Sequence, residues 1–268
     1  MNSNTQVSSI RTPQESSGPV EVIKIDGLGQ EPTMNPSDFD IVLLTEEYVQ
    51  QTALALAMIF SQEEPLSIGT KTTPMAYFPY AFGYAKRCAQ AGLSHIAIEK
   101  SSSMVVGFHL CSDADEWVEP HSVDEGVLIQ LRLLDDLHAV YEESLQNKHN
   151  GKSSAVTEPR KTFKICSAGV YAFCRRVGLT KRMFMAALEL AKEKGYEQIM
   201  VECTGFASQG LYAKIGFKDV ARIYYEDYEV VDHIQNSNGT TIERRRKPFK
   251  CIPKTEGEYV NLMAMDLK

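Results

Sequence analysis

Residues 170–181 read Val170-Tyr171-Ala172-Phe173-Cys174-Arg175-Arg176-Val177-Gly178-Leu179-Thr180-Lys181. The stretch lies between two patterns of different period: residues 163–170 read as a strand, and Phe184, Ala187, Leu188 and Ala191 recur at helical spacing over residues 180–194. A strand that turns straight into a helix gathers backbone N–H groups at the helix N-terminus, and such a turn binds anions without needing any particular side chain. Gly178 lets the chain approach a diphosphate closely, and Arg175, Arg176 and Lys181 can add positive charge. An ordinary tight turn would use the same residue types, so the turn alone names a geometry and not a function.

Working outward, Gly195 reads as the left-handed cap of that helix and residues 198–203 as the next strand, which predicts a parallel strand pair over residues 163–203. A short helix over 210–215 closed by Gly216, a strand over 219–229 and a last strand over 259–266 follow. Toward the N-terminus, residues 39–44 suit a strand, and Val49, Ala53, Leu56 and Phe60 mark a helix capped by Thr45. Pro65 biases Glu64 away from helical dihedrals and sets it at the exit of this helix. A second helix over 80–91 and two strands over 95–99 and 105–111 come next. Val127, Leu131, Leu134, His138 and Tyr141 share one face of a further helix, with His138 read as a core-edge residue, before a polar connection over 147–160. Residues 232–257 read as a long loop. No internal repeat is present.

The chain has 268 residues, 43% hydrophobic and 24% charged, the balance of a globular protein with a sizeable core. Residues 1–36, rich in Ser, Thr, Pro, Gly and Gln, are expected to form a mobile or loosely packed leader, and residues 37–268 a single domain. There is no apolar run long enough to span a membrane, and residues 1–19 lack the apolar run of a signal peptide, so a cytoplasmic location is the expectation. The six cysteines contain no C-x-x-C pair and read as reduced thiols rather than zinc ligands or disulfides. A net charge of -7 opposes non-specific nucleic-acid binding and mildly favours cationic small molecules. The basic run Arg244-Arg245-Arg246-Lys247 reads as a solvated loop, and a monomer is expected.

The turn at residues 170–180 resembles motif A of the GNAT superfamily, whose core is Arg/Gln-x-x-Gly-x-Gly/Ala; Arg175 and Gly178 match, and Thr180 departs from it. Downstream, Leu211-Tyr212-Ala213-Lys214-Ile215-Gly216-Phe217 is similar to the family's Leu-Tyr-x-x-x-Gly-Phe segment. The resemblance implies an α/β fold with a central mixed sheet, splayed between its fourth and fifth strands and flanked by helices. It implies acetyl-CoA as cosubstrate in that opening, held by Val170, Tyr171, Ala172, Arg175, Arg176, Val177, Gly178, Leu179, Thr180 and Lys181. A bulge in the fourth strand would free backbone groups near Val170 and Ala172, and N–H groups near Val170 or Tyr171 would hold the acetyl oxygen. Neither G-x-G-x-x-G nor a Walker A sequence is present, which disfavours dinucleotide binding and nucleotide hydrolysis.

Three further segments resemble the insect-type arylalkylamine N-acetyltransferases: Glu63-Glu64-Pro65-Leu66, Cys203-Thr204 with Ser208, and Tyr225-Glu226-Asp227-Tyr228. The resemblance makes Glu64 the catalytic base and maps two serines of that branch onto Thr204 and Ser208. Tyr212 takes the position of the acid that protonates the leaving thiolate, with Ser208 one turn earlier as an assistant or a helix cap. The chemistry agrees with a base: an alkyl ammonium of pKa roughly 10 is only about one part in a thousand neutral at pH 7. No metal is required. The acceptor reading is a small-molecule arylalkylamine, with Phe78, Tyr80, Phe82 and Tyr84 on the expected acceptor side. Polyamines, lysine side chains and a non-catalytic acetyl-CoA-binding module stay open as alternatives.

Overall fold

The computed structural model describes residues 34–116, 121–122, 124–149, 160–235, 238 and 241–267. The expectation for residues 1–36 falls almost wholly outside them. Residues before the expected domain start at 37 already pack: Met34 touches the core, and Arg182 donates to the carbonyl oxygens of Pro36 and Phe39.

Seven strands form one mixed sheet. In chain order they are β1 (Phe39–Leu43), β2 (His95–Glu99), β3 (Met104–Asp113), β4 (Thr162–Val170), β5 (Gln198–Cys203), β6 (Lys218–Tyr224) and, after a separate hairpin of β7 (Val230–Gln235) and β8 (Thr241–Arg246), β9 (Tyr259–Asp266). The sheet order is β1-β2-β3-β4-β5-β9-β6, so the last strand is inserted between β5 and β6. Only β4 and β5 run parallel, and they pair only from Thr162 to Ile165 against Gln198 to Val201. Beyond Ile165 the two strands part, and β4 continues to Val170 on β3 alone. This is the splayed mixed sheet of the expected fold.

The helices are α1 (Val49–Glu63), α2 (Pro65–Thr70), α3 (Pro74–Ala91), α4 (Glu125–His149), α5 (Leu179–Glu193) and α6 (Phe206–Ile215). On one face of the sheet, α5 packs Phe184, Ala187 and Ala191 against Phe163, Ile165, Ile199 and Val201. On the other, α1 and α3 cover Phe108 and Leu110, while α4 sets Ile129, Leu133 and Leu137 against Met200, Leu262 and Ala264. The period of β5 follows: Ile199 and Val201 face α5, and Met200 and Glu202 face α4.

Several expectations need correction. The second helix begins at Pro74, not Tyr80; Thr73 caps it, and Pro79 is tolerated on its exposed side although its ring removes one helical hydrogen bond. Helix α2 went unread because six residues carry too little periodicity. Helix α4 runs on to His149, into the expected connection. The strand expected over 219–229 stops at Tyr224 in a turn, and the expected loop 232–257 contains strands of the β7–β8 hairpin. Arg244, Arg245 and Arg246 of the basic run lie on β8, with Lys247 just beyond it; Arg246 pairs with Glu125 and Asp232, and Arg245 and Lys247 with Glu229. Among the described residues no helix is long and apolar enough to cross a membrane.

Candidate active site

Where β4 and β5 part, a cavity of about 930 Å³ opens between the strands and reaches from α5 on one face to α1, α3 and α4 on the other. Arg175, Arg176, Gly178, Leu179, Thr180, Lys181 and Val170 line it at one end, and Glu64, Thr204, Ser208 and Tyr212 line it further in. Tyr171, Ala172 and Val177 do not.

The turn into α5 is built for an anion. Gly178 has φ 79° and is the N-cap, so the left-handed geometry there suits a residue without Cβ. No side chain caps the helix, no acid occupies its first turn, and its first backbone bond is from Arg182 N–H to the Gly178 carbonyl. The N–H groups of Leu179, Thr180 and Lys181 therefore stand at the positive end of the helix dipole, facing the cavity. Arg175 is used differently from the expectation: its Nε donates to the Val170 carbonyl at 3.0 Å and its guanidinium pairs with Glu63. It fastens the turn to the end of α1.

Strand β4 presents its backbone to the same space. Its bulge is at Cys166, opposite the step between Leu110 and Cys111, and not beside Val170. Tyr171 N–H donates to Val106 O at 3.0 Å, which engages that donor within the sheet. The same bond fixes the phase of the antiparallel ladder: alternate residues Ala168 and Val170 turn their N–H groups away from β3, toward the opening.

Glu64 is held at the junction of α1 and α2. Pro65 starts α2, and the Glu64 carboxylate caps it, accepting from Leu66 N–H at 2.9 Å and Ser67 N–H at 2.6 Å. Burial raises its pKa above the ordinary carboxylate value, against the opposing effect of those two N–H bonds and the hydroxyls of Thr204 and Ser67. Thr204 comes from the end of β5. Its carbonyl accepts from the Tyr225 hydroxyl at 2.5 Å, so the three separate segments 63–66, 203–208 and 225–228 meet at one point. Gly205 makes the meeting possible: a Cβ there would sit 3.1 Å from the Glu256 carbonyl and 3.2 Å from Pro65 Cγ.

Tyr212 and Ser208 stand differently. Burial holds the Tyr212 phenol protonated, and its hydroxyl has a long contact of 3.4 Å to Nε2 of His109, an imidazole that burial and the neighbouring His95 depress to about 3. Ser208 donates its hydroxyl proton back to the Gly205 carbonyl at 2.9 Å. Cys174 lines the cavity and Cys203 lies buried beside it; burial pushes both thiols up, to about 11 and about 12.

On the α1, α3 and α4 side the walls are Phe60, Tyr77, Tyr80, Tyr84, Leu131 and Leu134. Tyr80 and Tyr84 match the expectation, whereas Phe78 packs against the core and Phe82 points outward, 39% exposed. Sequence reading missed Phe60 and Tyr77 as lining residues, and it read His138 as a core-edge residue. His138 instead lines the cavity, bonded to Glu202 at 2.6 Å, with Lys164 3.1 Å from the same oxygen. The two-residue period of β5, with Glu202 on the Met200 face, was the signal available. Ser167 was also missed; its hydroxyl is buried at the cavity wall with no partner among the described residues. Among those residues no cluster of His, Cys, Asp or Glu is arranged for a metal.

The fold occurs in solved structures of low sequence similarity. Arylalkylamine N-acetyltransferase 2 from Aedes aegypti superposes with a TM-score of 0.63 at 18% identity, over 86% of this chain and 100% of that one. The C-terminal condensation domain of Ebony, in complex with beta-alanyl-dopamine, gives 0.62 at 16%, over 85% and 99%. The Drosophila melanogaster polyamine N-acetyltransferase that forms N-acetylagmatine gives 0.55 at 17%, over 85% and 100%. The family model of the acetyltransferase (GNAT) family matches residues 63–217, more than half of the chain, from the acidic pair at the end of α1 to the Gly-Phe that closes α6. With the splayed strands and the uncapped helix turn lying inside that match, the chain belongs to the GNAT acetyltransferase family.

Proposed function

We propose that the protein transfers the acetyl group of acetyl-CoA to the primary amine of an arylalkylamine, with Glu64 receiving the amine's proton. The observation that carries this reading is the convergence of Glu64 and Thr204, the latter held by Tyr225, on a cavity whose acceptor side is lined by four aromatic rings.

The N–H groups at the start of α5 suit a diphosphate, and the open backbone of β4 suits the amide-rich arm of the cosubstrate. Its thioester supplies an activated acyl carbon. Val170 N–H, turned to the opening, is the donor available for the acyl oxygen as charge gathers on it. Glu64, made more basic by burial, accepts a proton directly or through water. Tyr212, kept protonated, can supply a proton to the departing sulfur once its long contact with His109 is released.

A polyamine acceptor is the second reading. Two carboxylates, Asp135 and Glu202, lie on the same wall, and solved relatives include an enzyme that acetylates agmatine. The rings weigh against it, since a slot lined by them gains from a buried aryl group and would have to desolvate a second ammonium. Labelled acetyl-CoA with a panel of aryl-ethylamines, polyamines and a lysine peptide tests both. Absence of transfer to every amine would leave a binding module.

A further inference from the structure

The cavity contains a second group equipped to take a proton. His138 on α4 directs Nε2 at Oε1 of Glu202 on β5, 2.6 Å away, and the Lys164 ammonium on β4 approaches the same oxygen at 3.1 Å. Burial acts to raise the Glu202 pKa, but Lys164 and His138 outweigh it and hold the carboxylate at about 2. An ionised carboxylate has no proton to donate, so Nε2 carries the hydrogen of this bond. In the neutral ring Nδ1 is then a bare lone pair, and among the described residues it has no hydrogen-bond partner. Glu202 keeps 8% of its side chain exposed and His138 keeps 34%, so a buried acid orients a ring that is open to the cavity.

Glu64 is in the opposite condition. Its two oxygens accept from Leu66 and Ser67 N–H, and the hydroxyls of Thr204 and Ser67 also face them, against the roughly four acceptor sites of a carboxylate. To take a proton it must give up one of these four contacts. His138 gives up nothing.

We infer that His138, oriented by Glu202, is a proton acceptor for the amine bound in this cavity, beside Glu64. The inference rests on the amine acetyltransferase reading above. An ammonium acceptor gives one proton to Nδ1 of His138, leaving a neutral amine and an imidazolium that later passes the proton to solvent. The nitrogen lone pair forms the new N–C bond and the C–S bond breaks with its electron pair leaving on sulfur; Glu64 takes the second nitrogen proton, Tyr212 protonates the thiolate, and the proton on Glu64 restores the phenol. The charged groups facing His138 are Glu202 from β5, Lys164 from β4 and, one turn earlier on α4, Asp135.

The test compares two nucleophiles of similar shape in wild type, His138→Gln and His138→Ala: phenethylamine, an ammonium at neutral pH, and an O-aralkylhydroxylamine, already neutral there. With phenethylamine, kcat/KM should fall about a hundredfold in both variants, while the hydroxylamine should lose less than about threefold. Added imidazole should restore part of the His138→Ala loss. Equal losses with both nucleophiles would reduce His138 to a structural staple, and unchanged rates would remove it altogether; either outcome overturns the inference with acetyl transfer intact. Wild type inactive with both nucleophiles and with every amine in the panel would overturn the acetyltransferase reading, and this one with it.

Discussion

Tyr225 sets its hydroxyl 2.5 Å from the carbonyl oxygen of Thr204, whose side chain in turn faces the carboxylate of Glu64. The bond ties the exit of β5 to the turn after β6, and through Thr204 to the start of α2. Tyr225→Phe leaves a carbonyl without its partner at a cost of about 1–3 kcal/mol. At about 2–4 °C per kcal/mol for a domain of this size, the melting temperature should drop by several degrees. Turnover should fall while acetyl-CoA affinity holds. Thermal melts and calorimetry read both, and an unchanged melt with unchanged turnover removes this bond from the account of the site.

Glu64→Gln keeps one oxygen to cap α2, in place of two, and cannot accept the proton. Because burial raises the Glu64 pKa, the carboxylate becomes a base only as pH climbs through that raised value, so the low-pH limb of the rate profile should lie above the ordinary carboxylate range. The variant should lose that limb and about a hundredfold or more in kcat/KM. Rates near wild type at neutral pH would move the base to His138 or to a chain of waters.

Gly178→Val separates conformation from packing. A Cβ at this position meets no atom within 4 Å, yet the backbone is left-handed at φ 79°, where a side chain costs roughly 1–2 kcal/mol. The first turn of α5 should shift and acetyl-CoA binding by calorimetry should vanish, with the circular dichroism spectrum largely kept. A folded variant with unchanged affinity would detach the phosphate-binding role from this turn.

Tyr212→Phe and Ser208→Ala divide the acid role. Ser208 already gives its proton to the Gly205 carbonyl, so Ser208→Ala should be the milder change, while Tyr212→Phe should depress kcat with little effect on amine affinity. If steady-state kinetics reverse that order, Ser208 is the acid.

Acceptor preference follows from the walls of the cavity. Tryptamine or phenethylamine should exceed spermidine and a lysine peptide in kcat/KM, measured side by side at one acetyl-CoA concentration. A tenfold or larger preference for spermidine or the peptide would overturn the arylalkylamine reading and leave the acetyltransferase reading standing.

The legible half of this fold was the half with local signals. The turn at Gly178, the apolar stripe of α5, the Gly195 and Gly216 caps and the parallel β4–β5 pair all follow from spacing within about forty residues, and the structure has them. What was not legible came from distant pairings. That Arg175 would be spent on Glu63 depends on where α1 ends in space, 112 residues away in sequence. The partnership of His138 with Glu202 spans 64 residues, so neither residue alone announces it. Tyr77 lies outside the helix read over 80–91, because α3 begins earlier, at Pro74.

The insertion of β9 between β5 and β6 has a consequence for vectorial synthesis. A chain leaving the ribosome presents β5 long before residues 259–266 exist, and until they arrive β5 has β4 on one side and nothing on the other. β6 cannot join the sheet at all. The nascent protein therefore carries an unpaired strand edge beside its future catalytic groove, the kind of edge that invites pairing with other chains. Closure of the sheet waits until β9 has emerged, and ribosome-bound fragments ending before residue 259 should be recognised by chaperones and proteases as unfinished.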